Sequence, residues 1–167
     1  MNYSITLESP TDADAIETLI EDAFGPGRRT RNVFRFRDGR APLAEFGFVA
    51  HLDGDMVASI RFWPVVLPDG QTVPLLGPLA VRPEIRGLGI GRALVRKGID
   101  AVRDSGAPAI LIIGDPGYYA PFGFRVDPVH SLDMGGPVVP LALMGLEFVD
   151  GSLSGQSGTV TPVPADA

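Results

Sequence analysis

A run of extended-type residues, Thr72 to Val81, passes through Arg82-Pro83 and the closely spaced glycines Gly87, Gly89 and Gly91 into a segment with Ala93, Leu94, Ile99 and Val102 at helical spacing. A strand that runs through a glycine loop directly into a helix is an anion site by construction. The glycines let a ligand approach the backbone, the first N–H groups of the helix lack internal partners, and the macrodipole adds partial positive charge. Arg86 and Arg92 add full charges beside it. The segment Arg82 to Asp104 carries six basic residues against three acidic ones, in a chain whose net charge is −6. An acidic chain of this kind is a poor candidate for nucleic acid as its main partner.

The elements around this junction fit one α/β domain, as does a length of 167 residues. Ser4 to Glu8 alternates as a short strand, Thr11 is the expected N-cap of a first helix bearing Ile16, Leu19, Ile20 and Ala23, and Gly25-Pro26-Gly27 stops it. Thr30 to Arg37 is expected as a second helix, within an arginine cluster (Arg28, Arg29, Arg31, Arg35, Arg37, Arg40) that reads as a solvated face or a basic patch. Phe46 to Ala50 and Met56 to Leu67 are strand-like and joined by the hairpin signal Asp53-Gly54, and Pro68-Asp69-Gly70 turns the chain into Thr72 to Val81. Three antiparallel strands in series are predicted. Ser105-Gly106 ends the helix after the glycine loop, and Ala109 to Ile113 is a continuous apolar run expected as a buried strand. A last strand is expected around Leu141 to Phe148. The domain is taken as residues 1–149, with 150–167 a Gly-, Ser- and Pro-rich surface segment holding at most an edge strand near Thr159-Val160.

Which phosphate the loop takes is not fixed by its glycines alone. The dinucleotide pattern fails because Arg92 stands where a third glycine is required, and no Gly-Lys-Ser/Thr triplet exists for a P-loop. The spacing is Arg-x-x-Gly-x-Gly, formed by Arg86, Gly89 and Gly91. After the strand ending at Ile113 comes a second block, Gly114-Asp-Pro-Gly-Tyr118-Tyr119-Ala-Pro-Phe-Gly123-Phe124. Together these blocks resemble the pyrophosphate motif and the Tyr-x-x-x-Gly-Phe ending of the GNAT N-acetyltransferases, in particular a poorly characterised branch of predicted acetyltransferases.

The resemblance implies a mixed, mostly antiparallel central sheet flanked by helices and splayed into a V between its fourth and fifth strands. It implies acetyl-CoA as cosubstrate, with the pantetheine arm pairing with Leu79, Ala80 and Val81 and the pyrophosphate on N–H groups of Arg86, Gly87, Leu88, Gly89, Ile90 and Gly91. Arg92 would reach a phosphate and Tyr119 would contact the cofactor and protonate the leaving thiolate, with Tyr118 the weaker candidate. The acceptor would be an amine of a small molecule or peptide. Many relatives carry a carboxylate on the fourth strand, whereas this chain has Leu75-Leu-Gly77-Pro78 there and lacks the Asn-x-x-Ala that often precedes the tyrosine. Asp115 acting through water is the candidate base, a turn or helix cap being its other reading. Trp63 and Phe62 are candidates for the acceptor wall or for ordinary sheet packing, and acids of the first helix (Asp12, Asp14, Glu17, Glu21, Asp22) for attracting a cation or for a solvated face. A cofactor-binding module without catalysis is the alternative function.

There is no cysteine, which excludes disulfides and thiolate metal sites, and His51 and His130 alone are too few for a histidine-rich centre, so no metal is expected. No basic, apolar leader or membrane-length apolar run is present, so a cytoplasmic protein without a membrane partner is expected, as a monomer or homodimer.

Overall fold

The computed structural model describes residues 2–25 and 32–165. Its central layer is a seven-stranded sheet in the order β1-β2-β3-β4-β5-β7, with β9 against β3. The strands are β1 (Tyr3–Leu7), β2 (Phe48–Leu52), β3 (Asp55–Val66), β4 (Thr72–Val81), β5 (Ala109–Ile113), β7 (Leu143–Glu147) and β9 (Thr161–Pro162); β6 (Leu132–Asp133) and β8 (Gly158–Thr159) pair separately. The helices are α1 (Ala13–Phe24), α2 (Ile90–Asp104) and the short α3 (Pro116–Tyr119). All pairs in the large sheet are antiparallel except β4 with β5. The mixed, mostly antiparallel α/β architecture that the resemblance implied is therefore the one found.

Side-chain alternation along the strands builds the layers. Ile60 and Phe62 of β3, Leu76 of β4 and Ile110 and Ile112 of β5 pack with Ile90, Leu94, Val95 and Val102 of α2. On the opposite face Ile16, Leu19 and Ile20 of α1 cluster with Val49 and Ala80. Gly98 on α2 is a point of close approach: a Cβ there would fall 2.6 Å from the Phe62 ring. Phe62 is fully buried and packs with α2, and Trp63 is nearly as buried.

Three local expectations are revised. Thr11 does not cap the first helix: Ser9 does, its hydroxyl accepting from the Thr11 N–H at 3.2 Å while Asp12 accepts from the Ser9 N–H at 2.8 Å, a capping box around the turn Pro10–Asp12. The expected second helix appears among the described residues as a 3-10 turn, Asn32–Phe36; Thr30 and Arg31 lie outside them, as do Arg28 and Arg29. Arg35 of this turn donates to the Met134 carbonyl, and Arg40, beyond it, donates to the carbonyls of Asp38 and Val163, each at 2.6 Å. These two arginines tie loops together rather than forming a solvated face.

The C-terminal segment is also more than surface. Leu153 and Val160 are fully buried and pack with Phe36, Val65, Leu75 and Leu111. Burial of each contributes about 1.5–3 kcal/mol, and the Glu147 carboxylate fixes the turn by accepting from the N–H groups of Leu153 at 2.8 Å and Ser154 at 3.0 Å. Burial raises the pKa of Glu147, but these bonds and others from Ser154 and Gly151 outweigh it, so the net shift is downward.

Candidate functional site

The parallel pairing of β4 with β5 lasts for only two residue pairs, Leu75 with Leu111 and Leu76 with Ile112. Beyond it β4 continues to Val81 without β5. The divergence has a local cause: between Ile60 and Phe62 of β3 the partners on β4 step from Leu79 to Leu76, so β4 carries an extra residue at Gly77-Pro78. Such a bulge bends its strand and increases the twist. Pro78 also lacks an N–H to donate. Leu79, Ala80 and Val81 remain paired with β3 on one edge, at Ile60, Ser59 and Ala58, and on the other edge they face the splay.

That edge leads into the glycine loop. Val81 is followed by the turn Pro83–Ile85, then Arg86 to Gly89, and Gly89 holds the left-handed conformation (φ 87°) at the N-cap of α2. A non-glycine residue there costs about 1–2 kcal/mol. Among the described residues no side chain caps α2, and its first helical bond runs from the Ala93 N–H to the Gly89 carbonyl at 3.0 Å. The N–H groups of Ile90, Gly91 and Arg92 therefore open the helix toward the cleft with the positive end of its dipole. Arg86 and Arg92 are exposed beside them.

The splay and the loop line one cleft of about 860 Å³. Of the residues expected at the cofactor, Leu79, Val81, Tyr119 and the whole stretch Arg86 to Arg92 line it; the Ala80 side chain does not, being packed against α1. The far wall is Ile113, Gly114, Asp115, Tyr118 and Tyr119, and the roof over the splay is Ile20, Ala23 and Phe24 of α1 with Val33, Phe34 and Arg37. Among the described residues, the acids of α1 do not line the cleft: its apolar edge does, while Asp14, Glu17, Glu21 and Asp22 are exposed.

The two adjacent tyrosines are separated by the helical twist of α3. Tyr118 is directed toward α2, where a Cβ on Gly91 would lie 3.2 Å from its hydroxyl. Tyr119 turns toward the base of β5, its ring 2.8 Å from where a Gly114 Cβ would be and edge-on to Phe124 at 6.0 Å. Burial pushes the Tyr119 phenol well above its ordinary range, with Tyr118 and Asp115 adding to the shift. Burial also raises Tyr118, opposed by Arg92. Both hydroxyls therefore stay protonated and available as donors near neutral pH. Asp115 is exposed and N-caps α3, accepting from the Gly117 N–H at 3.0 Å.

Other sequence candidates fall outside the cleft. His51 is half-buried in the β2–β3 hairpin, and His130 is exposed with its Nδ1 2.9 Å from the Asp127 carbonyl oxygen. Among the described residues no group of three His, Cys, Asp or Glu side chains could hold a metal, and no helix is long and apolar enough to cross a membrane. Sequence reasoning did not single out Arg37 for the site. Its guanidinium Nη2 lies 2.8 Å from the position of a Gly77 Cβ, at the point where β4 leaves β5, a contact between segments forty residues apart that no local spacing signals.

Residues 13–124 match the model of the acetyltransferase (GNAT) family. YhbS of Escherichia coli K12, an uncharacterized N-acetyltransferase, is 33% identical over 160 residues, covering 93% of each chain. YjhQ of the same strain, also an uncharacterized N-acetyltransferase, is 28% identical over 127 residues, covering 74% of this chain and 70% of its own. The crystal structure of E. coli YhbS in complex with CoA is similar with a TM-score of 0.79 and 32% identity, covering 96% of this chain and 89% of that one. A GNAT acetyltransferase from Brucella melitensis in complex with acetyl-CoA gives 0.75 at 29% identity, covering 98% and 97%. With its splayed sheet, its open helix terminus and a relative that matches along nearly its whole length, the chain belongs to the GNAT family of acetyltransferases.

Proposed function

We propose that the chain transfers the acetyl group of acetyl-CoA to a primary amine of a small molecule or peptide, by direct attack in a ternary complex. The observation that carries this reading is the continuity of the β4 edge at Leu79 to Val81 with the uncapped N-terminus of α2. An extended amide-bearing arm pairs with the first and a pyrophosphate sits on the second. The YhbS and Brucella structures, which contain CoA and acetyl-CoA, support the same ligand here.

In this reading the backbone of Leu79, Ala80 and Val81 holds the pantetheine amides, and the N–H groups from Arg86 to Gly91 hold the pyrophosphate with help from Arg92. The thioester then reaches the apex of the splay near Gly77-Pro78. A neutral amine attacks the thioester carbonyl carbon, the C–N bond forms, the C–S bond breaks, and the amine loses a proton as the sulfur leaves as thiolate. Asp115 takes the amine proton through water. Tyr119 donates a hydrogen bond to the departing sulfur. Because its pKa is raised, full proton transfer to a thiolate of ordinary basicity (about 8.5) is uphill, so stabilisation of developing charge is its main contribution. Proximity supplies much of the remaining rate. The reading takes the protein as cytoplasmic, monomeric or homodimeric, and without a nucleic-acid partner.

The Leu75-Leu-Gly77-Pro78 stretch, which carries no acid, favours a second reading in which the cleft binds acetyl-CoA without catalysis. Release of free CoA thiol, followed in Tyr119→Phe alongside a binding titration, separates the two. An enzyme loses about ten- to a hundredfold in kcat while its acetyl-CoA affinity stays within about threefold. A binding module shows no amine-dependent thiol release in either form.

A further inference from the structure

We infer that the Tyr118 hydroxyl belongs to the diphosphate site, donating across the cleft from α3 to the phosphate that the first N–H groups of α2 hold. The inference rests on the reading of the cleft as an acetyl-CoA site and adds a donor from its opposite arm. The backbone under Tyr118 is fixed by α3: Asp115 caps the helix at Gly117, and its carbonyl accepts from the N–H groups of Tyr118 at 3.1 Å and Tyr119 at 3.0 Å. The ring is held edge-on to Tyr119 at 4.8 Å and tilted against Phe122 at 5.8 Å. The phenol oxygen is thus carried into the cleft by a side chain whose ring is packed on two others.

That oxygen stands where the β4 edge gives way to the helix. The position of a Gly91 Cβ is 3.2 Å from it and 3.2 Å from Val81 Cγ2, so the two arms approach each other at the last residue of β4 and the first turn of α2. A Cβ lies about 2.5 Å from its own N, which puts the hydroxyl within about 5.7 Å of the Gly91 N. One phosphate oxygen accepting from both, at about 2.9 Å from the N–H and about 2.7 Å from the O–H, spans a gap of that size. Among the described residues the Tyr118 hydroxyl has no hydrogen-bond partner, although the side chain is half-buried. Burial raises its pKa and keeps it a donor, and Arg92 is close enough to oppose that shift. A phenol, a guanidinium and the helix N–H groups therefore converge on one region, and bonds from such donors to an anion are about twice as strong as those between neutral groups.

The test is calorimetric titration of the full-length wild type and of Tyr118→Phe, which removes one oxygen and keeps the ring. Two ligands are compared: acetyl-CoA, and S-acetylpantetheine, which keeps the thioester and the arm but ends before the diphosphate. The expected result is an acetyl-CoA Kd raised about tenfold or more, the scale of one hydrogen bond to a charged group, with the S-acetylpantetheine Kd within about twofold of wild type. Thermal unfolding of the unliganded variant should stay within about 2 °C of wild type, because no hydrogen bond within the protein is lost. An unchanged acetyl-CoA Kd overturns the inference. So does an equal loss with both ligands, which would put the hydroxyl on the pantetheine arm, or a melting temperature lowered by more than about 4 °C, which would commit it to the fold. Absence of acetyl-CoA binding in wild type refutes instead the acetyl-CoA reading beneath it.

Discussion

Replacing Gly91 by alanine should weaken acetyl-CoA binding by one to two orders of magnitude while leaving the unliganded fold almost as stable as before. Gly91 lies in the first turn of α2, and its backbone does not require glycine, since its φ is not positive. What it provides is space. A Cβ there would stand 3.2 Å from the Tyr118 hydroxyl and 3.2 Å from Val81 Cγ2, in the gap between the two arms of the cleft. Those separations are a few tenths of an ångström inside ordinary contact, so crowding costs about 1 kcal/mol, against a helix-propensity gain of about 1 kcal/mol for Ala over Gly. The balance is near zero, and the melting temperature should move by less than about 4 °C. Binding has no such offset. Keeping a phosphate from one N–H group forfeits about 1.5–3 kcal/mol, or about ten- to 150-fold in Kd. Calorimetric titration with acetyl-CoA, paired with thermal unfolding of the free protein, measures both quantities. A Kd within threefold of wild type at unchanged stability would refute the placement of the pyrophosphate at this turn.

Three further outcomes follow from the packing and the charges. Gly98→Ala places a methyl 2.6 Å from the Phe62 ring and should lower the melting temperature by about 4–8 °C; adding Phe62→Leu should recover part of that loss, and an additive double mutant would contradict the contact. Glu8→Gln breaks a nearly buried pair in which Arg61 donates to Glu8 at 2.8 and 3.3 Å, and urea unfolding should show a loss of about 3 kcal/mol with unchanged acetyl-CoA affinity; a loss below about 1 kcal/mol would place the pair among solvent-screened surface bridges. Tyr118 and Tyr119 have pKa values raised on folding, so the stability they contribute is complete below about pH 10 and is lost as pH rises through their folded values. Ultraviolet titration should show their ionisation delayed relative to urea-unfolded protein, and stability above pH 10 should fall less steeply in Tyr119→Phe than in wild type; coincident folded and unfolded titrations would contradict the burial of these rings.

The elements legible in the sequence were those whose signal is local. Asp53-Gly54 predicted a hairpin and both residues adopt positive φ (52° and 86°). The apolar run Ala109 to Ile113 predicted a buried strand, and the strand-to-helix junction at Arg86 to Gly91 follows from glycine spacing followed by helical periodicity. No local residue pattern signals the splay, which only the family resemblance implies, because its cause, the extra β4 residue at Gly77-Pro78, exists only relative to the partner strand β3. The same limit explains the first helix: Thr11 and Ser9 are both competent caps, and which one acts depends on Asp12 reaching back to the Ser9 N–H. Phe62 and Trp63 differ in which face of β3 they occupy but not in whether they are buried, and the burial of Phe62 depends on α2 approaching through Gly98, which no local spacing signals. Leu153 and Val160 sit in a polar stretch too sparse in apolar residues to suggest a core role, yet two well-placed side chains suffice to anchor it. Arg37 was one of six arginines in a cluster, and only tertiary structure separates it from Arg35 and Arg40.

The most direct test of the central claim is the melting temperature of the purified protein with and without acetyl-CoA, with ATP and NAD as controls. Ligand at about 100 times its Kd adds about 2.7 kcal/mol, which for a domain of this size is about 5 to 10 °C. The account predicts that shift for acetyl-CoA and CoA and none of comparable size for ATP or NAD, because the latter lack an arm to pair with the β4 edge at Leu79 to Val81. No shift with saturating acetyl-CoA, or equal shifts with all the nucleotides, would contradict it.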